Sequence, residues 1–244
     1  MRAVKRLSAI TLLLLGFFDP CLADKPNVLF IAVDDLRPEL NSYGASHIQS
    51  PNIDRLAAQG VQFNNAHVQQ AICMASRASL LTGYRPEYHN IYSGESVGDL
   101  LPNALTINKH FERNGYQLAA YGKIYHYKSD HVAQFGGRGS DGSTELFDNG
   151  RYATQDSLDK LELNRRDPVR PHEDRGPAYE SADVEDGAYS DGYNTARAIE
   201  TLRQFKLSNE PFFLAVGFRK PHLPFNAPEK YWEMYPPGSI KPAE

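Results

Sequence analysis

The 244-residue sequence is poor in cysteine, with only Cys21 and Cys73. Cys21 lies in an N-terminal segment that we expect to be removed, which leaves Cys73 as the one cysteine of the mature chain. A single cysteine cannot form an internal disulfide, so disulfide bonds are not expected to hold this fold. A lone thiol in an exported protein is a liability unless it is buried or chemically used, and composition leaves both alternatives open.

The sequence also lacks an excess of positive charge and, after its first residues, a long apolar run. The formal net charge is −4, whereas proteins that grip nucleic acid usually present a basic face. No stretch beyond the N-terminal segment reaches the roughly 20 apolar residues of a membrane helix. Hydrophobic residues make up 41% of the chain, which is typical of a globular protein with a buried core. We therefore expect no nucleic-acid partner and no membrane span.

Residues 1–23 have the layout of a secretory signal peptide. Three basic residues precede the apolar run Ala9–Phe18, and Ala23 stands where cleavage is expected. Acylation of Cys21 is disfavoured, because the residues before it are not small and apolar. We therefore predict a secreted or periplasmic protein (lysosomal in type if eukaryotic) whose mature chain begins near Asp24.

Strand and helix signals alternate along the mature chain, which predicts an α/β fold with a largely parallel sheet flanked by helices. The apolar runs Asn27–Val33 and Phe212–Phe218 are typical of strands that are buried on both faces. Residues 128–190 are rich in Gly, Asp, Arg and Pro and are predicted to form a loop-rich insertion. The other predicted elements are strands at Val61–Phe63 and Tyr116–Tyr121 and helices over Pro51–Gly60, Ala75–Leu81, Thr106–Asn114 and from Asp191 onwards.

Polar residues follow three of the predicted strands, at the end of a parallel sheet where ligands bind. Asp34 and Asp35 come directly after the first strand, and two carboxylates suit a hard divalent cation, although a helix cap or a turn explains them equally well. Lys123 and His126 follow another strand, and His222 follows the last. A lysine can neutralise an anion, and histidines can transfer protons, although a lone histidine is more often structural.

Cys73 opens the most specific motif, Cys73-Met-Ala-Ser-Arg77, which continues as Ala78-Ser-Leu-Leu-Thr-Gly83. A helix that starts near Cys73 offers free N–H groups to an anion, and Arg77 returns to the same face one turn later. The structural alternative is that Cys73 is simply a buried thiol and Arg77 a surface arginine. The motif is similar to the signature of the sulfatase family (alkaline phosphatase superfamily), in which Pro or Ala comes two residues after the cysteine and Arg four residues after it.

This resemblance, which runs from about Lys25 to the end and is weakest in the insertion, implies a chemistry. In the family the cysteine is oxidised by a maturase to formylglycine, whose hydrated aldehyde attacks the sulfate ester of a sulfated sugar or polysaccharide. Carried over to this chain, the resemblance implies one calcium ion bound by Asp34, Asp35 and the formylglycine made from Cys73. It also implies catalytic and sulfate-binding roles for Cys73, Arg77, Lys123, His126 and His222.

The family has further metal ligands and a second sulfate-binding lysine well beyond the Lys-Pro-His segment, in sequence that these 244 residues do not contain. Residues 24–244 are therefore expected to be the N-terminal part of a catalytic domain, with little sulfatase activity alone. Two alternatives remain: a formylglycine-dependent phosphodiesterase or phosphonate hydrolase, and an inactive remnant that only binds glycan. A conventional thiol hydrolase is disfavoured, because the Cys73 motif contains no general base.

Overall fold

The structure is a computed structural model that describes residues 25–88, 90–92, 96–126, 130, 151–167, 169 and 175–240. The predicted signal peptide lies outside these ranges. Within them, the strands are β1 Val28–Val33, β2 Gln117–Gly122, β3 Tyr179–Ala182, β4 Phe212–Phe218 and β5 Phe225–Pro228. The α-helices are α1 Pro51–Gln59, α2 Cys73–Thr82, α3 Val97–Leu100, α4 Ile107–Arg113, α5 Gln155–Arg165, α6 Ser190–Ser208 and α7 Glu229–Trp232. No helix in the described ranges is both long and apolar enough to cross a membrane.

The main sheet has the order β1-β4-β2, and both strand pairs are parallel, as predicted. β4 is the central strand, and its residues Phe213, Leu214 and Ala215 are almost completely buried. β1 lies at the edge of the described sheet, with Leu29 and Ile31 about half exposed at 47% and 50%. The prediction of burial on both faces is thus confirmed for β4 and wrong for β1, because an apolar run by itself does not distinguish a central strand from an edge strand.

Helices cover both faces of this sheet. On one face, Leu81 of α2 and residues of α4 pack against Leu118 and Phe213. On the other face, Ala198 and Phe205 of α6 pack against β2 and β4. Alternating residues of each strand supply the two layers, because successive side chains of a strand point to opposite faces. The predicted sheet flanked by helices is therefore confirmed.

One prediction about local structure is wrong. Val61 and Phe63 are largely exposed and lie outside any strand, because no neighbouring strand pairs with them in the described chain. Helix α5 and strand β3 lie within the segment predicted to be a loop-rich insertion, of which residues 131–150 are outside the described ranges. The sequence shows no helical hydrophobic pattern over α5, because this helix is charged and buries few side chains, Ser157 and Leu161. Thr154 caps this helix, and its hydroxyl accepts a hydrogen bond from a backbone N–H of the first turn, which stabilises the helix start.

Candidate active site

The carboxyl ends of the three parallel strands meet at one edge, where Asp34 follows β1 and Lys123 follows β2. Backbone hydrogen bonds hold the strand ends together, from Lys123 N to Gly217 O at 2.9 Å and from Asp34 N to Phe218 O at 2.9 Å. A Cβ atom on Gly217 would lie 2.0 Å from the Lys123 carbonyl oxygen. Glycine is therefore required here, since only a residue without a side chain allows this close approach.

Asp34 is the buried centre of this edge, with 3% of its surface exposed. Arg77 Nη2 donates to one carboxylate oxygen at 2.8 Å, and the Lys123 ammonium donates to the other. Burial alone would raise the pKa of Asp34, but the hydrogen bonds and charges of Lys123 and Arg77 outweigh it and lower the pKa. The Asp34 side chain is thus a carboxylate held between two cations.

Arg77 connects this centre to the loop that follows β2. Its Nη1 donates to the carbonyl oxygens of Lys123 at 2.7 Å and Ile124 at 3.1 Å. Its Nε is buried and has no acceptor among the residues that the structure describes. A buried donor without an acceptor is costly, so this atom is suited to an oxygen supplied by a bound or modified group.

Cys73 is the first residue of α2, at the place where the sequence predicts it. Its Sγ lies 3.5 Å from His126 Nδ1, a residue 53 positions later in the chain. Burial, together with the nearby Lys123 and Arg77 charges, lowers the pKa of His126 and so favours the neutral imidazole. The fold therefore gives Cys73 a neighbouring base that its own motif lacks.

His222 stands on the loop after β4, on the solvent side of the centre. Its Nδ1 lies 2.6 Å from the Leu223 carbonyl oxygen, and its Nε2 lies 3.9 Å from Asp35 Oδ2. Because a carbonyl oxygen can only accept, Nδ1 carries the proton, and Nε2 has the free lone pair when the ring is neutral. Ligand atoms of Asp34, Asp35 and His222 lie within 4.8 Å of one another, a grouping that could hold a metal ion.

The structure thus brings the predicted residues into two adjoining groups. One group, around the start of α2, consists of Cys73, Arg77, Lys123 and His126. The other consists of Asp34, Asp35 and His222, and Asp34 joins the two groups through Arg77 and Lys123. Sequence reasoning missed Asp191, whose carboxylate binds the backbone of the His222 loop. An aspartate in the first turn of a helix looks like an ordinary helix start, so no sequence signal distinguishes it. Gly217 was also missed, although a glycine at the end of an apolar strand is such a signal.

A cavity of about 520 Å³ lies on the other side of the His222 loop, next to the start of α6. It is not formed around the acidic centre: its walls include Phe218, Lys220 and Pro224 on one side and Asp191 and Ile199 on the other. Its lining is mostly apolar, and none of the predicted site residues lies on its walls.

Comparison with known proteins agrees with this geometry. The Sulfatase family model matches residues 26–241. Iduronate 2-sulfatase of Mus musculus is 38% identical over 225 residues and that of Homo sapiens 37% over 224 residues; each alignment covers 89% of this chain and 39% of the relative. The crystal structure of Ps i-CgsB superposes with a TM-score of 0.65 at 24% identity, covering 89% of this chain and 50% of that chain, which shows a shared fold.

The similarity to iduronate 2-sulfatase agrees with motifs outside the Cys73 segment, notably Gly122–His126 and Lys220–Phe225. The chain spans 39% of the length of these two relatives. The family model itself covers most of the chain. The chain belongs to the sulfatase family.

Proposed function

We propose that the catalytic domain to which these residues belong hydrolyses sulfate esters of a sulfated sugar or polysaccharide, with residue 73 as the nucleophile after its conversion from cysteine to formylglycine. One observation carries the proposal: Cys73 starts a helix beside His126, while Arg77, one turn later, pairs with the buried Asp34. Membership of the sulfatase family and the likeness to iduronate 2-sulfatase support the same reaction.

We further propose that Asp34, Asp35 and the converted residue 73 are ligands of one calcium ion. The donor chemistry fits, because calcium prefers oxygen ligands and the two carboxylates supply them. Calcium takes about 6–8 oxygens, so water and other parts of the protein would complete the set. When bound, the ion would stabilise negative charge on the nucleophile and on the sulfate group. Arg77 and Lys123 balance the two carboxylates, which leaves the arrangement able to accept a cation together with an anionic ester.

Arg77 and His126 are the residues that would act on residue 73. Arg77 Nε, the buried donor described above, would donate to an oxygen of the converted side chain. His126 would accept a proton from residue 73, because its lowered pKa keeps the imidazole neutral near pH 7. Its 3.5 Å distance to the present sulfur atom supports this role.

Lys123 and His222 would act on the ester. The Lys123 ammonium is buried at the same edge and contributes positive charge toward the sulfate group. His222 lies at the exposed rim, with Nε2 directed toward the acidic pair. We assign it to hold the sulfate or to protonate the leaving alcohol, as expected of a histidine at the open side of a site.

The proposed partners are a sulfated carbohydrate and a formylglycine-generating or equivalent maturase. Recognition of residue 73 by a maturase is supported by the Cys73–Arg77 motif. Secretion or periplasmic export, with a lysosomal destination in a eukaryote, is supported by the layout of residues 1–23.

The mass of the tryptic peptide Leu56–Arg77, from protein exported by its own host, tests the nucleophile. We expect the mass in which the CH2–SH group of Cys73 is replaced by an aldehyde. The same peptide from a Cys73→Ala variant serves as the control. An unmodified thiol in every copy would contradict the proposal and favour the alternative of an inactive, glycan-binding remnant.

The choice between sulfur and phosphorus chemistry needs a separate experiment with the full protein. Matched aryl sulfate, phosphate diester and phosphonate monoester substrates would be compared at equal concentration, with and without added calcium. We expect the highest kcat/KM for the sulfate ester and its loss when calcium is chelated. A preference for the phosphonate or phosphodiester would assign the site to the alternative hydrolase reaction.

A further inference from the structure

The loop that carries His222, residues 219–224, is poorly supported by side-chain packing on one side. The cavity of about 520 Å³ separates part of this loop from helix α6, with Lys220 and Pro224 on its wall. Neighbouring atoms attract only at contact distance, so the cavity removes packing as a means of fixing the loop there. On this side of the loop, polar contacts are therefore left to hold its position.

Asp191 supplies the contacts at the base of the loop. Its Oδ1 accepts a hydrogen bond from Arg219 N at 2.9 Å, and its Oδ2 accepts from Lys220 N at 2.9 Å. Both N–H groups follow β4 directly and have no strand partner to satisfy them. Hydrogen bonds to a carboxylate are stronger than those between neutral groups, so these bonds hold the start of the loop firmly.

The remainder of the loop is tied to this base. Lys220 Nζ donates to the carbonyl oxygens of His222 at 3.2 Å and of Pro224. His222 N donates to Arg219 O at 2.9 Å, which closes a turn around the same lysine. The His222 ring is therefore connected to Asp191 through hydrogen bonds and the covalent chain of Lys220.

Helix α6 gives Asp191 a rigid support. Tyr121 OH of β2 and Thr201 Oγ1 of α6 are 2.6 Å apart in the core, and Phe205 is 1% exposed. A helix fixed to the main sheet at several points holds the position of its first turn. A side chain on such an element is better placed to orient a neighbouring loop than one on another loop.

We infer that Asp191 is a positioning residue: acting with Lys220, it sets the tautomer and orientation of His222 at the edge of the sulfatase site. The importance of Asp191 for catalysis rests on the proposed function, whereas its contacts with the His222 loop do not. Asp191 holds the backbone of Arg219 and Lys220. This backbone and the Lys220 side chain hold the turn at His222, and the turn places the Leu223 carbonyl next to His222 Nδ1. Nε2 then faces Asp35 with its lone pair free.

Nitrogen-15 NMR of the His222 ring tests this inference on the 244-residue chain, at a pH at which the imidazole is neutral. Wild type is expected to show the tautomer with the proton on Nδ1. In Asp191→Ala the ratio of this tautomer to the other should fall by about two- to tenfold, the range that loss of one hydrogen bond produces. A folded Asp191→Ala chain with an unchanged ratio would overturn the inference, because a purely structural residue leaves the ring signals alone.

Asp191→Asn provides a second test that does not depend on whether Asp191→Ala folds. Its side chain keeps one acceptor oxygen, so it should fold and lower the ratio by a smaller factor, and no change at all would again overturn the inference. Asp156→Ala is the matched control, because Asp156 is an exposed aspartate in the first turn of α5 and contacts Lys160 rather than the site. These spectra need neither aldehyde nor metal, so their outcome is independent of the peptide-mass test of the proposed function.

Discussion

Two buried carboxylates illustrate how differently this fold uses the same group. Asp34, at the edge of the main sheet, is 3% exposed, and Glu180, in the small β3–β5 sheet, is 5% exposed. Asp34 is held by two cations, the guanidinium of Arg77 and the ammonium of Lys123. Glu180 is held by neutral donors: the backbone N–H groups of residues 153 and 154 and the hydroxyls of Thr154 and Tyr189.

The two carboxylates differ in whether their surroundings leave room for a further group. The donors around Glu180 all bind its carboxylate, and together these hydrogen bonds connect β3 to the start of α5 and to the start of α6. Asp34 instead borders Asp35 and His222, which are part exposed, and Arg77 keeps a buried donor without an acceptor among the described residues. The Glu180 network is closed, whereas the Asp34 centre is open to a further cation and anion.

The largest effect is expected from Asp34→Ala, which leaves Arg77 and Lys123 buried without their carboxylate. Removal of one partner from a buried ion pair costs about 3–5 kcal/mol, and we expect that loss in the free energy of unfolding measured by urea denaturation. Asp35→Asn is the control: Asp35 has a positive φ of 56°, which asparagine tolerates, and its side chain is 53% exposed. The control should change stability by less than about 0.5 kcal/mol. Equal effects of the two variants would contradict the contrast.

A substitution of the backbone support should have the next largest effect. In Gly217→Ala the new Cβ meets the Lys123 backbone at 2.0 Å, which forces the ends of β2 and β4 apart. We expect a loss of about 3 kcal/mol, at the upper end of typical overpacking costs. Gly187→Ala, near the Glu180 network, is the matched control, because its Cβ meets no atom within 4 Å. Thermal unfolding of both variants measures the difference, and a Gly217→Ala chain as stable as Gly187→Ala would contradict this account.

The sequence predicted the parts of the site that depend on local pattern. β4, the helix that begins at Cys73 and the placement of Asp34 and Lys123 after strands were all predictable, because each depends on a few neighbouring residues. The exact partners were not predictable in the same way. Arg77 was expected to reach back toward residue 73, whereas in the structure its guanidinium binds Asp34, 43 positions earlier.

Other features depend on the arrangement of distant elements. His126 meets Cys73 across 53 positions, and Asp191 meets Lys220 across 29, distances that periodicity does not encode. The exposure of β1 depends on which strand lies beside it, and the run Val28–Val33 is apolar in either case. Sequence reasoning thus identified most of the residues that meet in the candidate site, whereas the fold determined which atoms they contact.

Glu180→Gln should have a smaller effect than either substitution at the sheet edge. Glutamine keeps the shape and one acceptor oxygen, but its NH2 group faces donors that then lack an acceptor. An unsatisfied buried donor costs about 1–3 kcal/mol, and we expect about 2 kcal/mol in urea denaturation. The variant should leave the His222 ring signals unchanged, which separates the structural network from the site. Altered ring signals would show that the two regions are coupled.

The smallest effect is a pH dependence that distinguishes the two carboxylates. Burial would raise the pKa of Glu180, but hydrogen bonds from Ser157, Thr154, Ala153 and Tyr189 lower it from 4.5. The folded protein therefore holds fewer protons than the unfolded chain below pH 4.5, so this contribution is complete above pH 4.5 and is lost as the pH falls toward the folded pKa. The stability difference between wild type and Glu180→Gln should accordingly close below pH 4.5.

The pKa of Asp34 is lowered from 3.8, so its own contribution should persist to more acid pH before it too begins to disappear. Denaturant midpoints measured from pH 6 downward, on wild type, Glu180→Gln and Asp34→Ala, therefore test the order of the two losses. The assignment would be contradicted if, as the pH falls, the stability difference between wild type and Asp34→Ala disappeared at a higher pH than the difference between wild type and Glu180→Gln. The expected order follows from the ordinary pKa values of the two acids, because unfolded-state protonation marks where each loss begins.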